Sequence, residues 1–102
     1  MNTPKLYVLV RDEFRAAYCA AQAIHAVALF FKDQQKSFEA WNNSTVVVLG
    51  VRYPRGLSEW RDRLFAEGIP HSVWREPDQN DQITAIACYH TGELFKGLRT
   101  LT

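Results

Sequence analysis

The sequence predicts one α/β domain whose mixed four-stranded sheet carries helices on its faces, in the order β-α-β-α-β-β. Two observations predict it. Two unbroken apolar, β-rich runs, Lys5–Val10 and Thr45–Val51, are separated by one long alanine-rich segment. Unbroken apolar runs of that length read as strands buried on both faces, and strands joined through a helix run parallel by a right-handed crossover. Two later strand-like runs, His71–Glu76 and Gln82–Tyr89, are joined by the short polar turn Pro77–Asp81. A connection that short makes an antiparallel hairpin.

The elements follow in order. The first strand ends at the charged turn Arg11–Asp12–Glu13, where Asp12 is a candidate N-cap for a helix from about Phe14 to Phe31. Ala17, Ala20, Ala21, Ile24, Ala28 and Phe31 recur at helical spacing and are the expected inner stripe of that helix. Lys32–Lys36 is its solvated exit, and Ser37–Trp41 adds a helical turn that brings Trp41 to a core edge. Asn42–Asn43–Ser44 is a turn before the second strand. After the turn Tyr53–Gly56, Ser58 can cap a helix over Glu59–Glu67 with Leu57, Trp60 and Leu64 inward and a Glu59–Arg63 pair outward. Gly68 and Pro70 end it. The domain spans 1–102 with its core in about 5–89, and residues 90–102 are compatible with a short helix or an extended arm.

The composition bounds the function. An apolar share of 47% with 23% charged residues is ordinary globular composition, and no run approaches the ~20 apolar residues of a membrane span. A net charge of +1 excludes wholesale basic attraction to nucleic acid and leaves room for a local basic face. Met1–Pro4 passes directly into a strand without the basic and apolar blocks of a signal peptide, and Cys19 and Cys88 read as two buried reduced thiols. Both point to the cytoplasm. His71 and His90 share no ligand spacing with His25 or a cysteine, so no metal or other cofactor is expected. No nucleophile elbow or glycine-rich phosphate loop is present.

One stretch looks like part of a site. On a helix, Tyr18, Gln22 and His25 fall on a single stripe among small alanines. The tyrosine hydroxyl can donate to an oxyanion or its ring can stack on a base, the amide can hold a carbonyl or water, and the imidazole can move a proton. A histidine packed on the sheet is the alternative for His25. Arg11, Arg15, Arg52, Arg55 and Arg75 fall near strand ends or the start of the first helix, either as a phosphate-binding rim or as scattered surface charge. Trp41, Trp60 and Trp74 read as core and edge packing.

These words in this order resemble the type 2 peptidyl-tRNA hydrolase family. The resemblance rests on Leu6–Val10 followed by Arg11, on Ala20–Ala21–Gln22 with His25–Ala26 after it, on Val46–Val51, and on an acidic turn before Thr84; it covers about residues 5–89. It implies a three-layer α/β/α fold with a four-stranded mixed sheet, a homodimer, and hydrolysis of the ester between a peptide and tRNA. The partner it implies is peptidyl-tRNA or a tRNA 3′ end.

Carried onto this sequence, the family pattern makes Glu76 the general base and makes Gln22, Tyr18 and His25 the residues that position the ester. Thr84, Asp78, Arg11 and Arg15 become substrate-binding candidates. Glu76 reads equally as a salt-bridge partner of Arg75 or Arg11, Asp78 and Asp81 as turn residues, and Thr84 as a plain strand residue. The sequence departs from the pattern where Gly-Lys is usual, with Ala17 and Tyr18, and its acidic turn Glu76–Gln82 is shorter and lacks the usual glycine. The form Arg75–Glu76–Pro77–Asp78, with Thr84–Ala85–Ile86–Ala87 after it, resembles a compact bacterial and phage-type branch, which tends to have tyrosine at the Tyr18 position. The missing lysine motivates a rival expectation, a non-catalytic tRNA-binding or protein-interaction module on the same scaffold.

Overall fold

Five strands, in the order β3 (His71–Glu76), β4 (Gln82–His90), β1 (Lys5–Arg11), β2 (Val46–Val51) and β5 (Arg99–Thr100), form the sheet of the protein in a computed structural model that describes residues 3–52 and 56–101. The apolar runs give β1 (Lys5–Arg11) and β2 (Val46–Val51), which pair in parallel with Leu6 opposite Val46 and Arg11 opposite Val51. The short polar turn gives the antiparallel pair β3 (His71–Glu76) and β4 (Gln82–His90), and β4 also pairs antiparallel with β1. A 3₁₀ turn over Pro77–Gln79 bridges the hairpin. Among the described residues there are three α-helices: α1 (Ala16–Asp33), α2 (Gln35–Trp41) and α3 (Gly56–Ala66).

Strand alternation divides the interior into two layers. Leu6, Val8 and Val10 of β1 pack with Cys19, Ala26 and Phe30 of α1 and with Trp41. Tyr7 and Leu9 face the other way, against Leu57 and Leu64 of α3, Ile83, Ile86 and Phe95. The chain is therefore helix on sheet on helix.

The fifth strand departs from the expected four. Beyond β4 the chain turns at Gly92, buries Phe95 against the rings of Tyr7 and Trp60 at 4.9 and 5.1 Å, and returns as β5 (Arg99–Thr100) along β2. Phe95 anchors this arm, and β5 then takes up hydrogen-bonding groups on the open edge of β2.

The inner face of α1 also differs. Ala17, Ala20, Ala21, Ile24, Ala28 and Phe31 point outward, with Ile24 68% and Phe31 53% exposed, while Cys19, Gln22, Ala26 and Phe30 are buried. Nearly every position of this helix is small or apolar, so a helical stripe can be drawn on more than one face. Partners for Gln22 inside the fold decide which face is buried. The Asp12 cap does not form, since Arg15 holds the N-cap position without a side-chain bond. Ser58 lies inside α3 rather than before it, and Arg63 pairs with Glu67 at 3.0 Å. The turn residues Tyr53–Arg55 lie outside the described residues.

Candidate functional site

β1, β2 and β3 all end at one edge of the sheet, because β1 and β2 are parallel and β4 runs antiparallel to both β1 and β3. In open α/β sheets the carboxyl ends of the strands are where ligand sites gather. Here Glu76 ends β3, Gln82 opens β4 and Arg11 ends β1.

An irregularity in β4 builds the centre of the cluster. Trp74 pairs with Ala85 but Arg75 pairs with Ile83, which leaves Thr84 as the extra residue of a β-bulge. Thr84 and Ala85 consequently both face α1, while Ile83 and Ile86 face α3. The Thr84 hydroxyl, fully buried, donates to Gln22 Oε1 across 2.5 Å. Gln22 is only 3% exposed, and its amide donates in turn to the carboxylate of Glu76. Three residues from a helix and two strands thus form one hydrogen-bonded chain, which is how the helix can bury an amide on its inner face.

Glu76, 7% exposed, holds its charge through these contacts. The backbone N–H of Asp78 donates to Oε2 at 3.2 Å, and the Trp74 indole N–H donates to Oε1 at 3.3 Å. The carboxyl lies below the usual glutamate range, chiefly because of the Asp78 N–H; partial burial opposes the shift, and Gln22, Trp74 and the charge of His25 reinforce it. No salt bridge of Glu76 with Arg75 or Arg11 is seen among the described residues; the carboxylate caps the turn that follows it and ties that turn to α1.

Tyr18 and His25 flank this chain. The His25 ring is stacked on Trp74, with centroids 4.4 Å apart and planes at 14°. Its residue is exposed to solvent. Tyr18 is half-buried, edge-on to Phe14 at 4.8 Å, and its hydroxyl accepts from the Gln79 side chain at 3.5 Å. Tyr18, Gln22, His25, Glu76 and Thr84 therefore gather in one region. Asp78 joins through its backbone, and its side chain is exposed. Arg15 stays at the exposed start of α1, outside the bonded chain. Sequence reasoning missed Trp74 and Gln79. Trp74 lies two residues before Glu76, so period two places it on the Glu76 face of the strand, and that was the available signal.

Arg11 turns to the other face of the sheet. Its guanidinium donates to Gln82 Oε1 at 2.8 Å, pairs with Glu13, and lies over the Phe14 ring at 4.6 Å. It lines a cleft of about 390 Å³ together with Arg52, Ser58, Arg75, Asp81 and Gln82. Arg11, Arg52 and Arg75 are thus brought together; Arg15 does not line the cleft, and Arg55 lies outside the described residues.

Both cysteines are buried free thiols. Burial pushes Cys88 up to about 12, and it also raises Cys19, with Glu13 and Asp12 adding to the shift. Among the described residues no group of three or more His, Cys, Asp or Glu is arranged to hold a metal, and no helix is long and apolar enough to cross a membrane. No protein-family model matches the sequence, and no curated protein matches it.

Proposed function

We propose that the chain is a hydrolase of the peptidyl-tRNA hydrolase type, cleaving the ester between a peptide and the tRNA 3′ end by direct attack of water. The observation that carries this reading is the chain Thr84–Gln22–Glu76, assembled from α1, β3 and β4 beside Tyr18 and His25. Resemblance to the type 2 family motifs supports the choice of substrate.

The roles divide by environment. Three donors keep Glu76 ionised and make it a weak base, so its best use is to fix Gln22 and to present a charge to His25. His25, exposed and stacked in place by Trp74, takes the proton of the attacking water and then returns it to the departing ribose oxygen. The Tyr18 hydroxyl donates to the developing oxyanion. The same reading includes two copies of the chain acting as a dimer in the cytoplasm.

A second reading has its own observation. Gln22 and Thr84 satisfy each other and are buried, and Tyr18 stands where the family has a cationic lysine. That arrangement suits a non-catalytic tRNA-binding or protein-interaction module. The deciding experiment is cleavage of an N-blocked aminoacyl-tRNA by the purified protein, with His25→Asn and Glu76→Gln alongside. Turnover that falls in both variants supports the hydrolase. Saturable tRNA binding without turnover supports the binding module, and neither binding nor turnover leaves a protein partner.

A further inference from the structure

We infer that the arginine-lined cleft on the α3 face of the sheet is a binding site for a phosphate group, separate from the Gln22–Glu76 cluster on the α1 face. The inference does not rest on ester hydrolysis and stands whichever reading of that cluster holds.

Positive charge predominates in the cleft through Arg52 and Arg75, while the charge of Arg11 is paired with Glu13. Arg11, Arg52 and Arg75 line it, and Asp81 supplies the one carboxylate among the described lining residues. Guanidinium groups carry fixed forks of N–H donors that match phosphate oxygens, which makes arginine the preferred partner for that ligand. For a chain whose net charge is only +1, three arginines at one strand edge are a local concentration.

The cleft is also built rather than accidental. Arg11 is held in place from three sides, by Gln82, Glu13 and the Phe14 ring. Arg75 is tied down through a donor bond to the Asp81 carbonyl at 3.3 Å, and its side chain is exposed. Helix α3 starts hard against the end of β2: a Cβ on Gly56 would lie 2.3 Å from Val51 Cγ1. That approach brings Ser58, in the first turn, to the cleft wall. The first turn of a helix carries backbone N–H groups without intrahelical acceptors and the positive end of the dipole, both of which favour an anion. A volume of about 390 Å³ suits a phosphate with a small attached group.

The phosphate can be carried by a small ester or by a nucleic acid strand, and the test separates them. Inorganic phosphate, a nucleoside monophosphate, and a short RNA with and without a 5′-phosphate are titrated at low salt, with the arginine side-chain N–H and Ser58 amide signals followed by NMR. The expected result is saturable binding that moves the signals of Arg11, Arg52, Arg75 and Ser58. The Arg52→Gln/Arg75→Gln variant should bind about tenfold or more weakly, with its urea midpoint unchanged because both side chains are exposed. Tighter binding of the monophosphate supports the site with a small ester as its ligand, and tighter binding of either RNA supports it with a nucleic acid strand. No saturable binding of any probe overturns the inference, as does binding that the double variant leaves intact.

Discussion

The hydroxyl of Thr84 reaches Gln22 Oε1 across 2.5 Å only because a β-bulge turns two successive residues of β4 toward the same helix. That one bond ties α1 to β4, whose Thr84 is fully buried.

Removing the donor should be costly. Thr84→Val keeps the shape and leaves Gln22 Oε1 buried without its partner, which costs about 1–3 kcal/mol. Gln22→Leu should cost a similar amount by stranding the Thr84 hydroxyl and one acceptor site of Glu76. In urea denaturation, the double variant should lose about 0.5–3 kcal/mol less than the sum of the singles. Strict additivity would show that the two side chains are not coupled.

Glu76 gives the protein an acid limb. Its carboxyl is held below its unfolded value of 4.5, so the stability it contributes is present above that pH and is lost as pH falls toward the lowered native value. Thermal melts of the natural protein should therefore drop on acidification through and below about pH 4.5. Glu76→Gln should be less stable at neutral pH and flatter across that acid window. An acid limb as steep in the variant as in the natural protein would assign it to other carboxylates.

Much of this architecture is legible in the sequence, and the failures have identifiable physical causes. Unbroken apolar runs locate β1 and β2, and β3 matches its expected bounds residue for residue. The buried face of α1 is not legible because alanines make an apolar stripe on any side, while a buried glutamine is explained only by Thr84 and Glu76, which lie far away in sequence. The bulge at Thr84 leaves no mark in an apolar run that has no alternation to interrupt. The fifth strand is two residues long and is set by the burial of Phe95 rather than by its own composition.

Trp74 has two separable tasks, stacking on His25 and donating to Glu76. Trp74→Phe keeps a ring under the imidazole and removes the indole N–H. A carboxylate that loses a donor to its charged form becomes easier to protonate, so the Glu76 titration followed by carboxyl-carbon NMR should move upward, toward the ordinary glutamate range. Trp74→Ala should add the loss of the ring pair, worth about 0.5–1.5 kcal/mol beyond the buried area. A Glu76 titration unmoved by Trp74→Phe would mean that the indole bond does not form in solution.

Neither thiol should react while the protein is folded. Cys88 is pushed up to about 12 by burial, and Cys19 is raised by burial and by Glu13 and Asp12. Since the thiolate is the reactive form, an aromatic disulfide reagent at neutral pH should titrate neither cysteine in buffer and both in urea. Fast stoichiometric labelling without denaturant would contradict the buried placement of one of them.

Gly92 controls whether the C-terminal arm can return to the sheet. Its φ of +102° lies in the left-handed region, and a Cβ there would come 2.1 Å from the Tyr7 hydroxyl. Gly92→Ala therefore combines backbone strain of about 1–3 kcal/mol with overpacking of about 1–3 kcal/mol against a buried ring. The Phe95 anchor should loosen, and β5 with it, so the Leu101 amide, which donates to the Val48 carbonyl at 2.9 Å, should lose its protection from hydrogen exchange. Gly97→Ala is the matched control, because a Cβ at that position meets nothing within 4 Å. If the two substitutions cost the same, Gly92 is not what positions the arm. If Gly92→Ala alone destabilises and exposes the Leu101 amide, the fifth strand is held by the turn and by Phe95, and its two residues contribute little of their own.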